Sequence, residues 1–265
     1  MSQNSMTNIG VANIYEEPAF RSQVVSQSYL GESLQVLSTE KDWVRVRQED
    51  GYEGWINAGQ VVSKPADWDE GVKFTTYDLV TSIYDQPDVH ATPLRDMIIG
   101  TRLPLANRQD GWVEVTLPDG VTGWVPDHPY QYPASPDVEQ LLTTALRFQG
   151  KPYFWGGKSP KGFDCSGFIQ TVFRLNGQML PRDAWQQAEI GETVAAAWEE
   201  RQAGDLIFFS ENGERITHVA LSLGEGDYIH ASGYVKLNSF NPGHSELYHQ
   251  PLVDNFVKTQ RVMAS

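Results

Sequence analysis

The sequence repeats itself. Ile14-Tyr15-Glu16-Glu17-Pro18 returns as Ile83-Tyr84-Asp85-Gln86-Pro87, and Trp43-Val44-Arg45-Val46 returns as Trp112-Val113-Glu114-Val115. Asp50-Gly51-Tyr52-Glu53-Gly54-Trp55-Ile56 returns as Asp119-Gly120-Val121-Thr122-Gly123-Trp124-Val125, and Gly31 and Leu34 return as Gly100 and Leu103. Every pair is separated by 69 positions (83 − 14). Tryptophan, glycine and proline do not hold register by chance over such a length, so two related units stand in tandem. Val44/Val46 and Val113/Val115 alternate with polar residues, as half-buried strands do. Asp-Gly then marks a hairpin turn, and Gly-Trp opens a further short strand. Units of this size, built from short strands and glycine turns, are best closed as small barrels.

The pattern resembles bacterial SH3-like domains, one over residues 1–65 and one over 66–127. Most of the tryptophans read as barrel packing rather than ligand stacking. The copies differ at two positions of chemical interest. Glu17 stands where the second unit has Gln86, and Tyr52 where it has Val121. Drift between copies accounts for this as well as a ligand role in the first unit does. A proline-rich joint, residues 128–136, separates the repeat from a different kind of sequence, and proline this dense reads as a semi-rigid spacer.

Composition removes several classes. Asp and Glu number 34 against 20 Lys and Arg, a formal charge of −14. A nucleic-acid partner needs clustered cations, and so does an electrostatic grip on an anionic membrane. Neither partner is expected. The one cysteine can form no internal disulfide, and it rules out a zinc site built on several thiolates. The first residues carry no basic start followed by an apolar run, so the expected location is the cytoplasm.

At the end of the joint, Ser135-Pro136 reads as the cap and first turn of a helix that leads into residues 137–265. Val138, Leu141, Leu142, Ala145, Leu146 and Phe148 give that helix its apolar period, and Gly150 ends it. Pro152-Tyr153-Phe154-Trp155-Gly156-Gly157 is a rigid aromatic-glycine loop. Phe163-Asp164-Cys165-Ser166-Gly167 then leads into a second helix, striped by Phe168, Ile169, Val172 and Phe173 and stopped at Gly177. Cys165 therefore falls at a helix N-terminus, where exposed N–H groups and the positive dipole end favour a thiolate.

A cysteine nucleophile needs a base. Thr217-His218-Val219-Ala220-Leu221-Ser222-Leu223 reads as a strand with Val219, Leu221 and Leu223 on the core face and His218 on the other. Tyr228-Ile229-His230-Ala231-Ser232 follows a Gly-rich turn. His218 and His230 share a face only if the loop between them holds an odd residue count or the hairpin carries a bulge. In that register Cys165, His218 and His230 form nucleophile, base and orienter, spaced by 53 (218 − 165) and 12 (230 − 218) residues. Taken singly, Cys165 reads as an inert buried thiol and each histidine as a satisfied polar residue. A Cys/His/His zinc site is a further alternative, without local chelate spacing.

Residues 137–265 resemble the NlpC-type, papain-like cell-wall cysteine peptidases. The likeness rests on the Pro152–Gly157 and Phe163–Gly167 motifs, Leu180-Pro181-Arg182, Gly204-Asp205-Leu206-Ile207-Phe208-Phe209, Thr217-His218-Val219-Ala220 and Tyr228-Ile229-His230-Ala231. It implies an α+β fold, a papain-like peptidase domain preceded by two small all-β SH3-like barrels. It further implies Cys165 as nucleophile, His218 as base and His230 as third residue, with no metal or cofactor. With its two barrels the chain resembles γ-D-glutamyl-L-diamino acid endopeptidases, whose partner is a murein-derived peptide, L-Ala-γ-D-Glu-diamino acid, cut after the γ-D-Glu.

A free α-ammonium on that alanine needs a carboxylate, since an unpaired charge in a pocket is costly. Asp164 is one candidate. Glu17, with Tyr52 beside it, is the other if the first barrel covers the cleft, and such a wall would admit only two residues before the scissile bond. Arg182 is a candidate partner for the D-Glu α-carboxylate, and the plainer reading is a surface ion pair. Ser166 and Tyr153 are candidate hydrogen-bonding partners. Ala184 stands where the family often has serine, which removes a hydroxyl from the expected recognition of D-Glu. A non-catalytic murein-peptide binding protein, and a thiol-dependent acyltransferase or amidase on another amide, are the rival classes.

Overall fold

The repeat in the sequence is a repeat of strands. The computed structural model describes residues 4–133, 137–194 and 197–263. The chain divides into two compact units, Met1–Gln131 and Tyr132–Ser265. In the first unit, β1 (Asn4–Thr7), β2 (Val11–Tyr15), β3 (Val24–Tyr29), β4 (Ser33–Glu40), β5 (Trp43–Arg47), β6 (Glu53–Asn57) and β7 (Val61–Ser63) form one antiparallel sheet in the order β3-β2-β6-β5-β4-β1-β7. A second sheet contains β8 (Lys73–Thr75), β9 (Val80–Tyr84), β10 (Pro93–Ile98), β11 (Arg102–Gln109), β12 (Trp112–Thr116) and β13 (Thr122–Pro126), in the order β10-β9-β13-β12-β11-β8. The orders coincide strand for strand over six strands, and β7 is an addition to the first sheet. Even the irregularity repeats: the ladder slips between Val36 and Ser38 in one copy and between Leu105 and Asn107 in the other.

Burial explains why the pattern recurs. Ile14, Leu34, Val44, Val46 and Ile56 pack together in the first barrel. Their counterparts Ile83, Leu103, Val113, Val115 and Val125 do so in the second. The repeated glycine of Gly-Trp has a steric cause. A Cβ on Gly54 would lie 2.4 Å from Ile14 Cγ2, and one on Gly123 would lie 2.6 Å from Ile83 Cγ2. The core isoleucine therefore requires glycine across the sheet. Met6, Leu30 and Trp68 join the second barrel's core, and Asp119 accepts hydrogen bonds from Asn8 Nδ2 (3.0 Å) and Arg95 Nη2 (2.9 Å). Of the repeated tryptophans, Trp43 is buried and Trp55, Trp112 and Trp124 are half-buried.

The start of the proline-rich joint is tied down. Pro129 bridges Thr76, the Tyr130 N–H donates to the Thr75 carbonyl (2.7 Å), and the Tyr130 ring stacks on Tyr77. Ser135 and Pro136, expected to begin the next helix, lie outside the described residues. The helix itself, α1 (Val138–Leu146), is capped by Asp137, whose carboxylate accepts from the N–H groups of Glu139 and Gln140. It stops at Leu146 rather than running to Gly150, and Arg147 to Gly150 (φ 81°) form the turn that follows.

The second unit continues through the two-residue strands β14 (Lys158–Ser159) and β15 (Gly162–Phe163) to α2 (Cys165–Leu175) and α3 (Ala184–Gln187). It closes with β16 (Glu192–Val194), β17 (Leu206–Phe209), β18 (His218–Gly224), β19 (Asp227–Ser232), β20 (Tyr234–Ser239), α4 (Gln250–Asp254) and β21 (Phe256–Arg261). These strands form a sheet in the order β16-β21-β17-β18-β19-β20. The expectation that Val219, Leu221 and Leu223 lie on the core face holds for Val219 and Leu221 but is incomplete, because the face that carries His218 is buried as well. Ile207, Phe209, Ala220, Tyr228 and Phe240 form a buried cluster on the face opposite Val219 and Leu221. The middle of the sheet is thus buried on both sides, and Leu223 is only half-buried. No helix among the described residues is long and apolar enough to cross a membrane.

Candidate active site

Asp164 organises the start of α2. It is the N-cap, and its carboxylate accepts five hydrogen bonds. Oδ1 accepts from the Gly167 N–H (2.6 Å), Ser166 Oγ (3.3 Å) and Arg182 Nη1 (3.1 Å). Oδ2 accepts from the Gly156 N–H (2.9 Å) and Arg182 Nη2 (2.5 Å). Arg182 Nη1 also donates to Ser166 Oγ at 3.0 Å. Asp164, Ser166 and Arg182 are all buried. The structure therefore pairs two residues that the sequence assigned to opposite charges of a substrate. In the resting protein Asp164 and Arg182 hold each other, the aromatic-glycine loop and the helix start. Gly167 belongs to the same joint: a Cβ there would lie 2.1 Å from the Gly157 carbonyl oxygen.

Cys165 is the first residue of α2, as its motif implied, and is only 8% exposed. Its Sγ lies 4.0 Å from the Thr217 carbonyl oxygen and within reach of the Val219 N–H, the backbone on either side of His218. The expectation of a standing thiolate is not met. Burial pushes the thiol up to about 12, and the Asp164 charge adds to the effect. The N–H groups of Val219 and Ser166 and the Arg182 charge oppose it without reversing it. The helix terminus cannot offset the lost hydration of an enclosed anion.

The two histidines meet. His218 Nε2 lies 2.7 Å from His230 Nδ1, and Phe209 flanks the His218 ring. A bulge makes this possible, as the spacing required. Ser222 pairs with Tyr228 but Gly224 pairs with Asp227, so Leu223 is the extra residue. The slip moves His218 onto the face that carries Ala220 and His230. On the third strand, Asn238 Oδ1 lies 3.0 Å from His230 Nε2. Sequence reasoning missed Asn238. The signal was present, because a tight Ser232-Gly233 turn sets Asn238 diagonally across from His230 on the same face.

His230 is fully buried, and burial pushes it down to about 4, with Lys236 and His249 adding repulsion and the Asn238 bond opposing. His218 moves the same way, through burial and its neighbours His230 and Lys236. A folded value below the unfolded one of about 6.5 has a definite sign. The contribution of neutral His230 to stability is complete above about pH 6.5 and is lost as pH falls towards about 4, at up to about 1.4 kcal/mol per pH unit. The expected outcome is a denaturation midpoint that drops more steeply between pH 6.5 and 4.5 in the natural protein than in His230→Gln. Equal slopes would contradict it.

Tyr153 is half-buried, and its hydroxyl is pushed upward by burial and then by Cys165 and Asp164, so it stays a donor at neutral pH. Ala184 opens α3 and is buried. Glu17 (exposed) and Tyr52 (half-buried) belong to the first barrel, in the other compact unit. Among the described residues, no three His, Cys, Asp or Glu side chains group so as to hold a metal ion.

A cysteine at the head of a helix, set against an antiparallel sheet that carries two coupled histidines, defines a papain-like cysteine peptidase, here behind two SH3-like barrels. The comparisons narrow this. Residues 150–260 match the NlpC/P60 family and residues 10–63 match the bacterial SH3 domain. The chain is 33% identical to a gamma-D-glutamyl-L-lysine dipeptidyl-peptidase of Bacillus cereus over 245 residues, 84% of this chain and 73% of that protein. It is 29% identical to dipeptidyl-peptidase 6 of Lysinibacillus sphaericus over 269 aligned positions, 94% and 96% of the two chains. A crystal structure of an NlpC/P60 family protein from Bacillus cereus shares the fold, with a TM-score of 0.83 at 24% identity, covering 98% of this chain and all of that one. The chain belongs to the NlpC/P60 family of cysteine peptidases.

Proposed function

We propose that the protein hydrolyses the γ-D-glutamyl–L-diamino acid bond of murein peptides that begin with a free L-alanine. The observation that carries this is the likeness, over 84% and 94% of the chain, to two proteins named as dipeptidyl-peptidases, the first of them for γ-D-glutamyl-L-lysine. Such a specificity suits released wall peptides rather than polymeric murein, and so recycling of wall fragments in the cytoplasm. A cysteine peptidase with one cysteine has one possible thiol nucleophile, Cys165.

Burial disfavours charge on both Cys165 and His218, and this suggests the order of events. The thiol gives its proton to His218 as sulfur attacks the γ-carbonyl, so His218 acts as general base at the moment of bond formation. The Cys165 N–H and the Tyr153 hydroxyl are the proposed oxyanion donors, each typically worth about 2.7–4 kcal/mol. Protonated His218 then gives its proton to the leaving amine. Water, activated by the same ring, releases the thioester as L-Ala-γ-D-Glu. Of the carboxylates considered for the substrate ammonium, Asp164 already takes five donors.

The test is mass analysis of products from L-Ala-γ-D-Glu-L-Lys, its diaminopimelate analogue and the N-acetylated form of each. The expected product is the dipeptide from the free-amine substrates, with kcat/KM lower by about 100-fold or more once the amine is blocked. Equal rates on free and acetylated peptides would overturn the free-amine requirement. Cleavage at another bond would overturn the proposed substrate.

A further inference from the structure

We infer that Asn238 is a positioning residue that fixes, through His230, which nitrogen of His218 carries the proton. The inference rests on the cysteine-peptidase reading of this site and not on the substrate proposed for it.

The argument begins with an atom that can only accept. The Leu247 carbonyl oxygen takes the Ser239 N–H at 2.8 Å, and the Ser239–Tyr248 bridge holds that segment in place. The same oxygen lies 2.8 Å from Asn238 Nδ2. A carbonyl oxygen cannot donate, so it must face the amide NH2, and this sets the amide's orientation. Asn238 Oδ1 is then the atom that faces His230 Nε2, at 3.0 Å. Oδ1 also only accepts, so His230 must carry its proton on Nε2. A neutral imidazole has one N–H, so His230 Nδ1 presents a lone pair.

That lone pair lies 2.7 Å from His218 Nε2, which must therefore be the protonated nitrogen of His218. What remains is His218 Nδ1, unprotonated, as the basic atom for the thiol. Adjacent strands β18, β19 and β20 supply one member each, in the register His230↔Lys236 and Tyr228↔Asn238. The groups that bear on the His230 charge are Lys236 and His249, both disfavouring a second proton, and the Tyr228 ring packs against it. Reversing the chain, with His230 protonated on Nδ1, would set two lone pairs against each other at 3.0 Å, those of His230 Nε2 and Asn238 Oδ1.

The experiment is long-range proton–nitrogen NMR of the full chain labelled at histidine, without substrate. It is paired with kcat and KM for a peptide the enzyme turns over. The natural protein is expected to show both His218 and His230 as Nε2–H tautomers. Asn238→Leu removes the acceptor. It should shift His230 towards Nδ1–H and lower kcat by about two orders of magnitude, with KM within about twofold. Asn238→Asp keeps an acceptor for His230 Nε2 but loses the donor to the Leu247 carbonyl, and should keep the Nε2–H tautomer while recovering only part of kcat. A natural protein with His230 protonated on Nδ1 overturns the inference, as does an Asn238→Leu variant with unchanged tautomers. If Asn238→Leu does not fold, the natural protein and Asn238→Asp spectra decide. Failure of the proposed substrate leaves the tautomer reading intact, because that reading needs no substrate.

Discussion

Cys165→Ala is expected to lower kcat by about 10⁴-fold or more, to the limit of detection, while leaving the protein folded. The size follows from the chemistry: with the sulfur gone no acyl-enzyme forms, and no second cysteine exists to replace it. The stability expectation follows from the site. Burial holds the sulfur towards the thiol, and its contacts are a marginal 4.0 Å one with the Thr217 carbonyl and those with the N–H groups of Val219 and Ser166, so alanine leaves no buried charge without a partner. The fold should tolerate the change to within about 1 kcal/mol, because the volume lost is small. Retained hydrolysis in this variant would end the peptidase mechanism through Cys165. A collapse of stability would show that the thiol is a packing element first.

Arg182→Met should cost about 3–5 kcal/mol of stability in the C-terminal unit, the usual consequence of leaving a buried charge without its partner. Both Asp164 and Arg182 are nearly enclosed, and the pair makes two direct bonds, at 3.1 and 2.5 Å. Removing the guanidinium leaves Asp164 with only the N–H groups of Gly167 and Gly156 and the Ser166 hydroxyl. Arg182→Lys keeps the charge but loses the planar fork, and should recover only part of the loss. Chemical denaturation reads the effect, and a cycle with Asp164→Asn isolates the pair. If Arg182 served mainly as a ligand for the substrate carboxylate, Arg182→Met would raise KM and leave the denaturation midpoint in place. The midpoint therefore separates the two roles.

The repeat was readable because its signals are local and doubled. Once Trp, Gly and alternating valines recur at one offset, strand order follows with them. Cys165 at a helix start was readable for a similar reason, since a capping aspartate, a small residue and an apolar stripe all lie within a few positions. The coupling of His218 to His230 was readable only as a condition, a bulge somewhere in the hairpin, because alternation gives parity and not location.

Three things were not readable. Sequence gave Asp164 and Arg182 opposite charges 18 residues apart (182 − 164), but nothing local says that they meet each other rather than a ligand. The upward push on the Cys165 thiol depends on burial by residues from distant strands, which no motif carries. Asn238 looked like any polar residue on a hairpin until its amide was seen between an imidazole and a fixed carbonyl.

The single surplus residue at Leu223 has a consequence for how this hairpin can vary. Whether the two imidazoles fall on the same side depends on whether the count between them is odd or even, not on how long the loop is. An insertion or deletion of one amino acid beside Gly224 would swing His218 to the far side and disable the enzyme without touching any reacting group. A change of two would leave the rings facing. Functional relatives should therefore differ in length here by steps of two, or carry a compensating kink wherever they differ by one.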